Sequence, residues 1–223
     1  MEKSIDVISH IKSNLKLKIM LGFILTFYVC FMYSFIQHNP IFSVKMMNTS
    51  FVDNIIPFIP NSVYLYESIL LLMPIAPWLM TSKDELKNYT LGIFLISGMC
   101  FLIFFLYPTS IFRPSNIYDS NFLYFILIKM DNQLNAFPSL HAALAIFHGA
   151  CCSSLFRKYT GCKKYLWLIW FWIFGIMIST LLTKQHIFID IVAGSLIGLS
   201  GYYICCYRNN LKFNKIIIDA DSE

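Results

Sequence analysis

The stretch TLGIFLISGMCFLIFFLY (residues 90–107) decides the fold, because it contains no charged residue and is long enough to cross a bilayer. A transmembrane helix requires about 20 predominantly apolar residues. Five other stretches of the chain are similarly long and apolar: residues 19–36, 62–80, 138–156, 165–183 and 187–206. The sequence therefore predicts an all-α polytopic membrane protein, with a six-transmembrane-helix bundle over residues 19–206.

The composition leaves no room for a separate soluble domain. Of the 223 residues, 57% are hydrophobic and only 13% are charged, against roughly 45–50% and about 25% in soluble domains. Before the first apolar stretch, residues 1–18 intersperse isoleucines with lysines at a spacing typical of an amphipathic helix on the membrane surface. We expect this segment and the tail, residues 207–223, to be cytoplasmic.

The basic residues are divided unevenly between the two sides of the predicted bundle. With a cytoplasmic N-terminus, 13 of the 17 Lys and Arg residues fall in inside segments, and the outside segments hold only Lys45, Arg113, Lys129 and Lys184. Because positive residues accumulate in cytoplasmic loops, both termini are predicted to be cytoplasmic. Basic loops beside anionic lipid account for the net charge of +5, so no nucleic-acid partner is expected.

The fourth and sixth predicted helices carry small residues suited to close packing. Gly194 and Gly198 have small-xxx-small spacing, and the fourth helix is rich in alanine. Small residues let helix backbones approach closely in lipid, so we expect the starts of these two helices to be in contact. His148, which lies deeper in the fourth helix, is expected to bond a neighbouring helix.

Two histidines are placed at the starts of these helices, both of which run from outside to inside in the predicted topology. The fourth helix opens with FPSLH, which ends at His141, and the sixth opens with HIFID, which spans His186 to Asp190. His186 and Asp190 are four residues apart, hence neighbours on one helical face. A carboxylate bonded to one ring nitrogen fixes the tautomer and leaves the other nitrogen as a nucleophile. The pattern predicts a catalytic pair of His186 and Asp190, with His141 protonating a leaving oxygen.

The surroundings of these histidines suit a phosphate group. Pro138 is typical of the first turn of a helix, where free N–H groups and the helix dipole bind anions. The Ser139 hydroxyl and the Leu140 amide are the expected donors there. Arg113, after the third helix, and Lys184 supply positive charge for the non-bridging oxygens. The sequence thus predicts phosphoryl transfer from a lipid-like substrate at the external face.

Two other kinds of site use the same residue types. His141, His186 and Asp190 are three possible zinc ligands, but a closed site requires four and nothing obvious completes the set. Ser139 and His141 are two residues apart, so they do not face each other on a helix as a serine nucleophile and its base would. No metal and no cofactor is therefore expected.

The Pro-Ser-x-His element that ends at His141, followed by His186-x-x-x-Asp190, resembles the type 2 phosphatidic acid phosphatase superfamily of membrane lipid phosphatases and phosphotransferases. With the Arg113 loop, the resemblance covers about residues 106–194. It implies that His186 becomes phosphorylated and that Asp190 orients it. It also implies that His141 acts first as general acid and then as general base, without a metal.

The chain departs from the family pattern at two cations. Leu106 stands where the family has Lys, and Thr180 stands where it has Arg, so Lys184 is the expected substitute for one of them. The run Tyr107-Pro108-Thr109 before the arginine, and Thr-Lys-Gln-His at 183–186, resemble more closely the inositol phosphorylceramide synthase branch. Members of that branch transfer a phospho-headgroup between lipids.

These features predict an integral membrane lipid phosphatase or phosphotransferase acting on a lipid phosphate or isoprenoid diphosphate through a phosphohistidine. The alternatives are a phospho-headgroup transferase of the inositol phosphorylceramide synthase type, and a non-catalytic lipid scramblase or transporter on the same fold. We expect a plasma or inner membrane protein whose active site faces the periplasmic, extracellular or lumenal side. Its partner is a lipid phosphate substrate within the membrane. The sequence leaves open whether the second acceptor is water or an alcohol, and also the oligomeric state.

Overall fold

The structure, a computed structural model, describes residues 6–114, 121–160 and 166–207. The described chain is all-α apart from two short strands. Its helices are α1 (Val7–Lys12), α2 (Leu15–His38), α3 (Phe51–Ile55), α4 (Val63–Glu67), α5 (Ile69–Leu72), α6 (Ile75–Leu79), α7 (Lys83–Leu106), α8 (Phe122–Met130), α9 (Leu140–Thr160), α10 (Leu166–Leu182) and α11 (Phe188–Tyr202). A 3₁₀ turn, Pro60–Ser62, precedes α4, and a π-helical turn, Tyr203–Tyr207, extends α11. The strands are β1 (Lys45–Met46) and β2 (Thr109–Ser110).

Within the described ranges, four helical segments are long and apolar enough to cross a membrane: Leu15–His38, Pro60–Leu79, Lys83–Leu106 and Phe188–Tyr207. They coincide with the first, second, third and sixth predicted spans, and the chain is an integral membrane protein. The fifth predicted span is α10, which is apolar but has only 17 residues. The fourth is α9, which has 21 residues but a less apolar composition. A count of six spans therefore remains a prediction.

The composition of α9 follows from its place in the bundle. Fourteen of its 21 residues are buried, because α9 packs against α6, α7, α10 and α11. A helix surrounded by protein can use small and polar side chains where a lipid-facing helix cannot. By contrast, α2 contacts mainly α7 and is largely exposed along its length.

The second span is interrupted rather than continuous. Its residues form the short helices α4, α5 and α6, separated at Ser68 and at Met73-Pro74. Pro74 and Pro77 lack the N–H that an uninterrupted helix requires. At the Ser68 break, the indole Nε1 of Trp172 donates a hydrogen bond to the Ser68 hydroxyl at 2.8 Å.

The starts of α9 and α11 are in close contact, as the glycine spacing predicts. A Cβ atom at Gly194 would collide with the carbonyl oxygen of Ser139, and one at Gly198 would collide with that of Ala143. The amide of Ser139 also donates to the carbonyl of Asp190 at 3.0 Å. Only glycine lets the two backbones approach this closely.

At the end of the bundle where α9 begins, three connecting segments pair with one another. Strands β1 and β2 are parallel, with Lys45 opposite Thr109, and Ser110 forms an isolated bridge with Leu134. The amide of Phe137 donates to the Thr109 hydroxyl at 2.8 Å. These contacts fix the segment that leads into α9.

At the other end, α1 packs against the end of α6. The His10 Nδ1 atom lies 2.8 Å from the carbonyl oxygen of Leu79, and Lys18 donates to the carbonyl of Trp78 at 3.1 Å. Within the predicted amphipathic segment, residues 1–18, α1 covers only Val7–Lys12, and α2 already begins at Leu15. Almost all of the predicted cytoplasmic tail, residues 208–223, lies outside the described residues.

Candidate active site

His186 lies in a sharp turn between α10 and α11. Lys184 has a positive φ of 53°, and the amides of Gln185 and His186 both donate to the carbonyl of Thr180, at 3.1 and 3.3 Å. The prediction that the sixth helix opens with His186 is wrong, because α11 begins at Phe188 and Ile187 is its N-cap residue. His186 and Asp190 are neighbours because the chain turns back at this cap, and not because they share a helical face.

The imidazole of His186 is oriented through its Nδ1 atom. This nitrogen lies 3.0 Å from the carbonyl oxygen of Ala136 and 3.5 Å from Oδ2 of Asp190. Both oxygens accept hydrogen bonds, so the proton of a neutral ring is on Nδ1 and the lone pair is on Nε2. Among the described residues, none bonds to this Nε2. The ring thus has the tautomer that a nucleophile requires.

Asp190 is fully buried and supports both the helix and the histidine. Its Oδ2 accepts the Ile187 amide at 2.9 Å, which caps the start of α11. Its Oδ1 has no hydrogen-bond partner within the described ranges. A buried carboxylate next to His186 stabilises positive charge on that ring.

Ser139 and Leu140 form the start of α9. The Ser139 hydroxyl accepts the Ala142 amide at 3.2 Å, and the Ser139 carbonyl accepts the Ala143 amide at 3.1 Å. Ser139 is therefore the N-cap, and Pro138 precedes the helix instead of lying in its first turn as predicted, because serine is the stronger cap. The amides of Leu140 and His141 donate to no described residue, and this pair is suited to bind an anion.

His141 is held by the broken second span. Its Nε2 lies 3.0 Å from the carbonyl oxygen of Tyr66, and its ring stacks on the Tyr66 ring at a centroid distance of 4.0 Å. Because a carbonyl accepts only, the proton of neutral His141 is on Nε2 and its Nδ1 is the basic atom. The His141 and His186 rings are close enough to interact electrostatically.

A cavity of about 510 Å³ opens beside His186 and Lys184. One wall is the segment that contains α3, and another is the segment around Phe112 and Pro114. The Lys184 ammonium donates to the carbonyls of Asp53 and Ile56, at 2.9 and 2.6 Å. Within the described ranges these are its two hydrogen bonds, which leaves one of its three N–H groups for a bound anion.

Arg113 is placed differently from the other predicted residues. Its guanidinium is buried and donates to the carbonyl of Asp131 at 2.9 Å and to its carboxylate at 3.0 Å. The residues that line the cavity beside His186 include Phe112 and Pro114, on either side of Arg113, but not Arg113 itself. The structure thus joins Lys184 and His186 at one cavity, and it places Arg113 in an ion pair.

Sequence reasoning missed Asp53. Its Oδ1 accepts the Phe188 amide at 2.7 Å, at the first turn of α11, and its Oδ2 accepts the amide and hydroxyl of Ser50. The run Ser50-x-x-Asp53 is a capping-box pattern that predicts the short helix α3. Nothing in that pattern predicts the contact with α11, which is 135 residues away in sequence.

Thr109, Tyr66 and Asp131 were missed as contributors to the site for the same reason. Each acts through a contact between segments that are distant in sequence.

In the described parts of the chain, no three His, Cys, Asp or Glu residues are grouped so that they hold a metal ion.

Two histidines and an aspartate, His141, His186 and Asp190, lie at or just before the starts of two packed helices, α9 and α11. The family model of the PAP2 superfamily, the type 2 phosphatidic acid phosphatases, matches residues 36–204, and the chain belongs to this superfamily. Its members are generally phosphatases and phosphotransferases, so membership indicates a lipid phosphatase type of function. Comparisons with curated proteins and with solved structures found no match.

Proposed function

We propose that the protein is a six-helix membrane phosphatase or phosphotransferase, acting on a lipid phosphate or isoprenoid diphosphate through a phosphohistidine at His186. The observation that carries the proposal is the state of the His186 ring. Its Nδ1 is hydrogen-bonded to a carbonyl, and its Nε2 has no partner in the described part of the chain. His186 also lines a cavity together with Lys184. This arrangement supports nucleophilic attack by Nε2.

In the first step, the Nε2 lone pair of His186 attacks phosphorus and the bond from phosphorus to the leaving oxygen breaks. Protonated His141 gives its proton to that oxygen, and Asp190 stabilises the charge on the phosphorylated ring. The free amides of Leu140 and His141, the Ser139 hydroxyl and Lys184 hold the non-bridging oxygens. The charge of Arg113 is paired with Asp131, so in this account Arg113 does not contact the phosphate.

In the second step, the oxygen of water or of an alcohol attacks phosphorus and the bond from phosphorus to Nε2 breaks. His141, now neutral, takes the proton of the attacking oxygen and returns to its starting state. Water gives a phosphatase, and a second lipid alcohol gives a transferase. The run Tyr107-Pro108-Thr109 supports the transferase of the inositol phosphorylceramide synthase type as the second candidate.

The proposed topology has three parts: a cytoplasmic N-terminal segment (residues 1–18), the membrane domain (19–206) and a cytoplasmic tail (207–223). The distribution of Lys and Arg supports cytoplasmic termini and an active site at the external, periplasmic or lumenal face of a plasma or inner membrane. Lipid phosphate then reaches His186 from the outer leaflet.

The test is acid-quench trapping of the phosphoenzyme in detergent. Wild type, His186→Ala and the control His38→Ala would each be incubated with labelled phosphatidic acid, isoprenoid diphosphate and a phosphoinositol lipid in turn. His38 lies at the exposed end of α2, so its variant is expected to label like wild type. Acid-labile, base-stable label on wild type and His38→Ala, with none on His186→Ala, supports the proposal. Full activity of His186→Ala contradicts it.

Lipid movement distinguishes the non-catalytic alternative. A scramblase or transporter would move lipid equally well in wild type, His141→Ala and His186→Ala. None of the three labelled substrates would leave label on such a protein. Product chromatography in mixed lipids separates a phosphatase, which releases a free headgroup or phosphate, from a transferase, which produces a new phospholipid.

A further inference from the structure

The Ala136 carbonyl, which orients His186, belongs to a peptide unit whose N–H is hydrogen-bonded to Thr109. The Ala136 carbonyl and the Phe137 N–H are parts of one peptide unit, and such a unit is planar. His186 Nδ1 lies 3.0 Å from the carbonyl oxygen, and the Thr109 Oγ1 accepts the N–H at 2.8 Å. The plane is therefore bonded at both of its polar ends.

Thr109 is well placed to fix this plane. It is fully buried, and its backbone is anchored in strand β2, where it pairs with Lys45 of β1. Its carbonyl also accepts the Ala136 amide at 3.4 Å. Hence Thr109 constrains the peptide units on both sides of Ala136.

The Ala136 carbonyl is the closer of the two acceptors beside His186. It lies 3.0 Å from Nδ1, whereas Asp190 Oδ2 lies at 3.5 Å and already accepts the Ile187 amide. Rotation of the peptide plane would move the carbonyl away from Nδ1 and release the ring. Hydrogen-bonded dipoles in series polarise one another. The bond that the Phe137 N–H donates to Thr109 therefore also makes the Ala136 carbonyl a stronger acceptor for His186.

We propose that Thr109 is a positioning residue for His186, acting through the peptide unit between Ala136 and Phe137. The inference rests on the proposed function, since it concerns the rate at which His186 is phosphorylated. Thr109 does not contact substrate in this account. It sets the orientation and the tautomer of the ring that does.

The test compares Thr109→Val, Thr109→Ser and the matched control Thr90→Val. Valine has nearly the shape of threonine but has no acceptor for the Phe137 N–H, and serine restores the acceptor without the methyl group. Thr90 donates to the Leu86 carbonyl within the first part of α7, so its substitution removes a hydroxyl at a remote position. Rapid quench would give, for each protein, the rate constant and the final amount of phosphoenzyme.

We expect Thr109→Val to form the wild-type amount of phosphoenzyme at a rate reduced by about tenfold or more. The figure is taken by analogy from residues that orient metal-ligating histidines, whose loss costs roughly 10- to 100-fold in activity. KM should stay within about twofold of wild type, and Thr109→Ser and Thr90→Val should label at rates within about threefold of it. Those results support the positioning role.

An unchanged rate constant in Thr109→Val would overturn the inference, whether or not the labelled amount falls, because Thr109 would then act only on folding. A rate as slow in Thr109→Ser as in Thr109→Val would also overturn it, since the methyl group and not the acceptor would be needed. Label on His186→Ala would instead contradict the proposed function, so the two failures are distinguishable.

Discussion

Two histidines, the buried His148 in the middle of α9 and the partly buried His186 before α11, differ in how their ring nitrogens are used. His148 Nδ1 lies 2.6 Å from the carbonyl oxygen of Leu144, and its Nε2 lies 2.7 Å from the Tyr89 hydroxyl on α7. His186 has one nitrogen bonded to a carbonyl and the other unbonded among the described residues, beside a cavity. A histidine with both nitrogens bonded supports packing, whereas one with a free lone pair can react.

The same comparison explains why a histidine that lies deep among packed helices is not evidence of chemistry. His148 was expected to bond a neighbouring helix, and its contact with Tyr89 confirms that prediction. A lone pair that accepts from a tyrosine hydroxyl is not available to attack phosphorus. The predictions below separate the two kinds of histidine.

The largest effect is expected for His186→Ala. Loss of the nucleophile should lower turnover by roughly a thousandfold or more, because the residual rate comes from binding and electrostatics alone. The measurement is lipid-phosphate turnover per folded molecule, with folding checked by size-exclusion profile and thermal unfolding. Turnover within tenfold of wild type would show that another group attacks phosphorus.

His141→Ala is expected to have the next largest effect. General acid–base groups contribute about 10²- to 10⁴-fold, so turnover should fall by that factor. If His141 protonates the leaving oxygen, a substrate with a good leaving group, such as a nitrophenyl phosphate ester, should recover most of the rate of phosphoenzyme formation. Equal loss with both substrates would assign His141 to phosphate binding instead.

Tyr89→Phe should lower stability and leave catalysis nearly unchanged. The substitution leaves the His148 Nε2 buried without its hydroxyl donor, which costs about 1–3 kcal/mol. Thermal unfolding in detergent should shift downward, while turnover per folded molecule stays within about twofold of wild type. A large loss of turnover at full folding would mean that His148 takes part in the reaction.

Tyr66→Phe should have the smallest effect. Tyr66 holds His141 through a backbone carbonyl and through ring stacking, and phenylalanine keeps both. Turnover is expected to stay within about twofold of wild type, whereas Tyr66→Ala, which removes the stacked ring, should lower it further. A strong loss in Tyr66→Phe would assign a role to the phenol hydroxyl.

Much of the fold was predictable because it depends on local composition. Apolar length gives four of the membrane-crossing segments directly, and the spacing of Gly194 and Gly198 gives the contact between α9 and α11. The break at Met73-Pro74 in the second span follows from the proline there, whereas only the structure shows the break at Ser68. The low hydropathy of α9 reflects burial by protein neighbours, which a sequence window does not detect.

The candidate site residues remain a prediction, and the sequence did not predict the contacts that hold them. His186 and Asp190 are neighbours as expected, yet through a helix cap, and the closest acceptor for His186 is the carbonyl of Ala136. A backbone carbonyl carries no signal in the residue type, and the contacts of Thr109 and Asp53 join segments far apart in the chain. Arg113 was expected to bind phosphate, and no sequence pattern predicts its ion pair with Asp131.

The most direct measurement of the central claim is the position of phosphate on the trapped enzyme. Wild type would be quenched during turnover, digested under alkaline conditions that preserve phosphohistidine, and the labelled peptide analysed by chromatography against the two phosphohistidine isomers. The account predicts phosphate on His186 at Nε2, because Nδ1 is bonded to Ala136. Phosphate on Nδ1 of His186, or on His141 or His148, would contradict it.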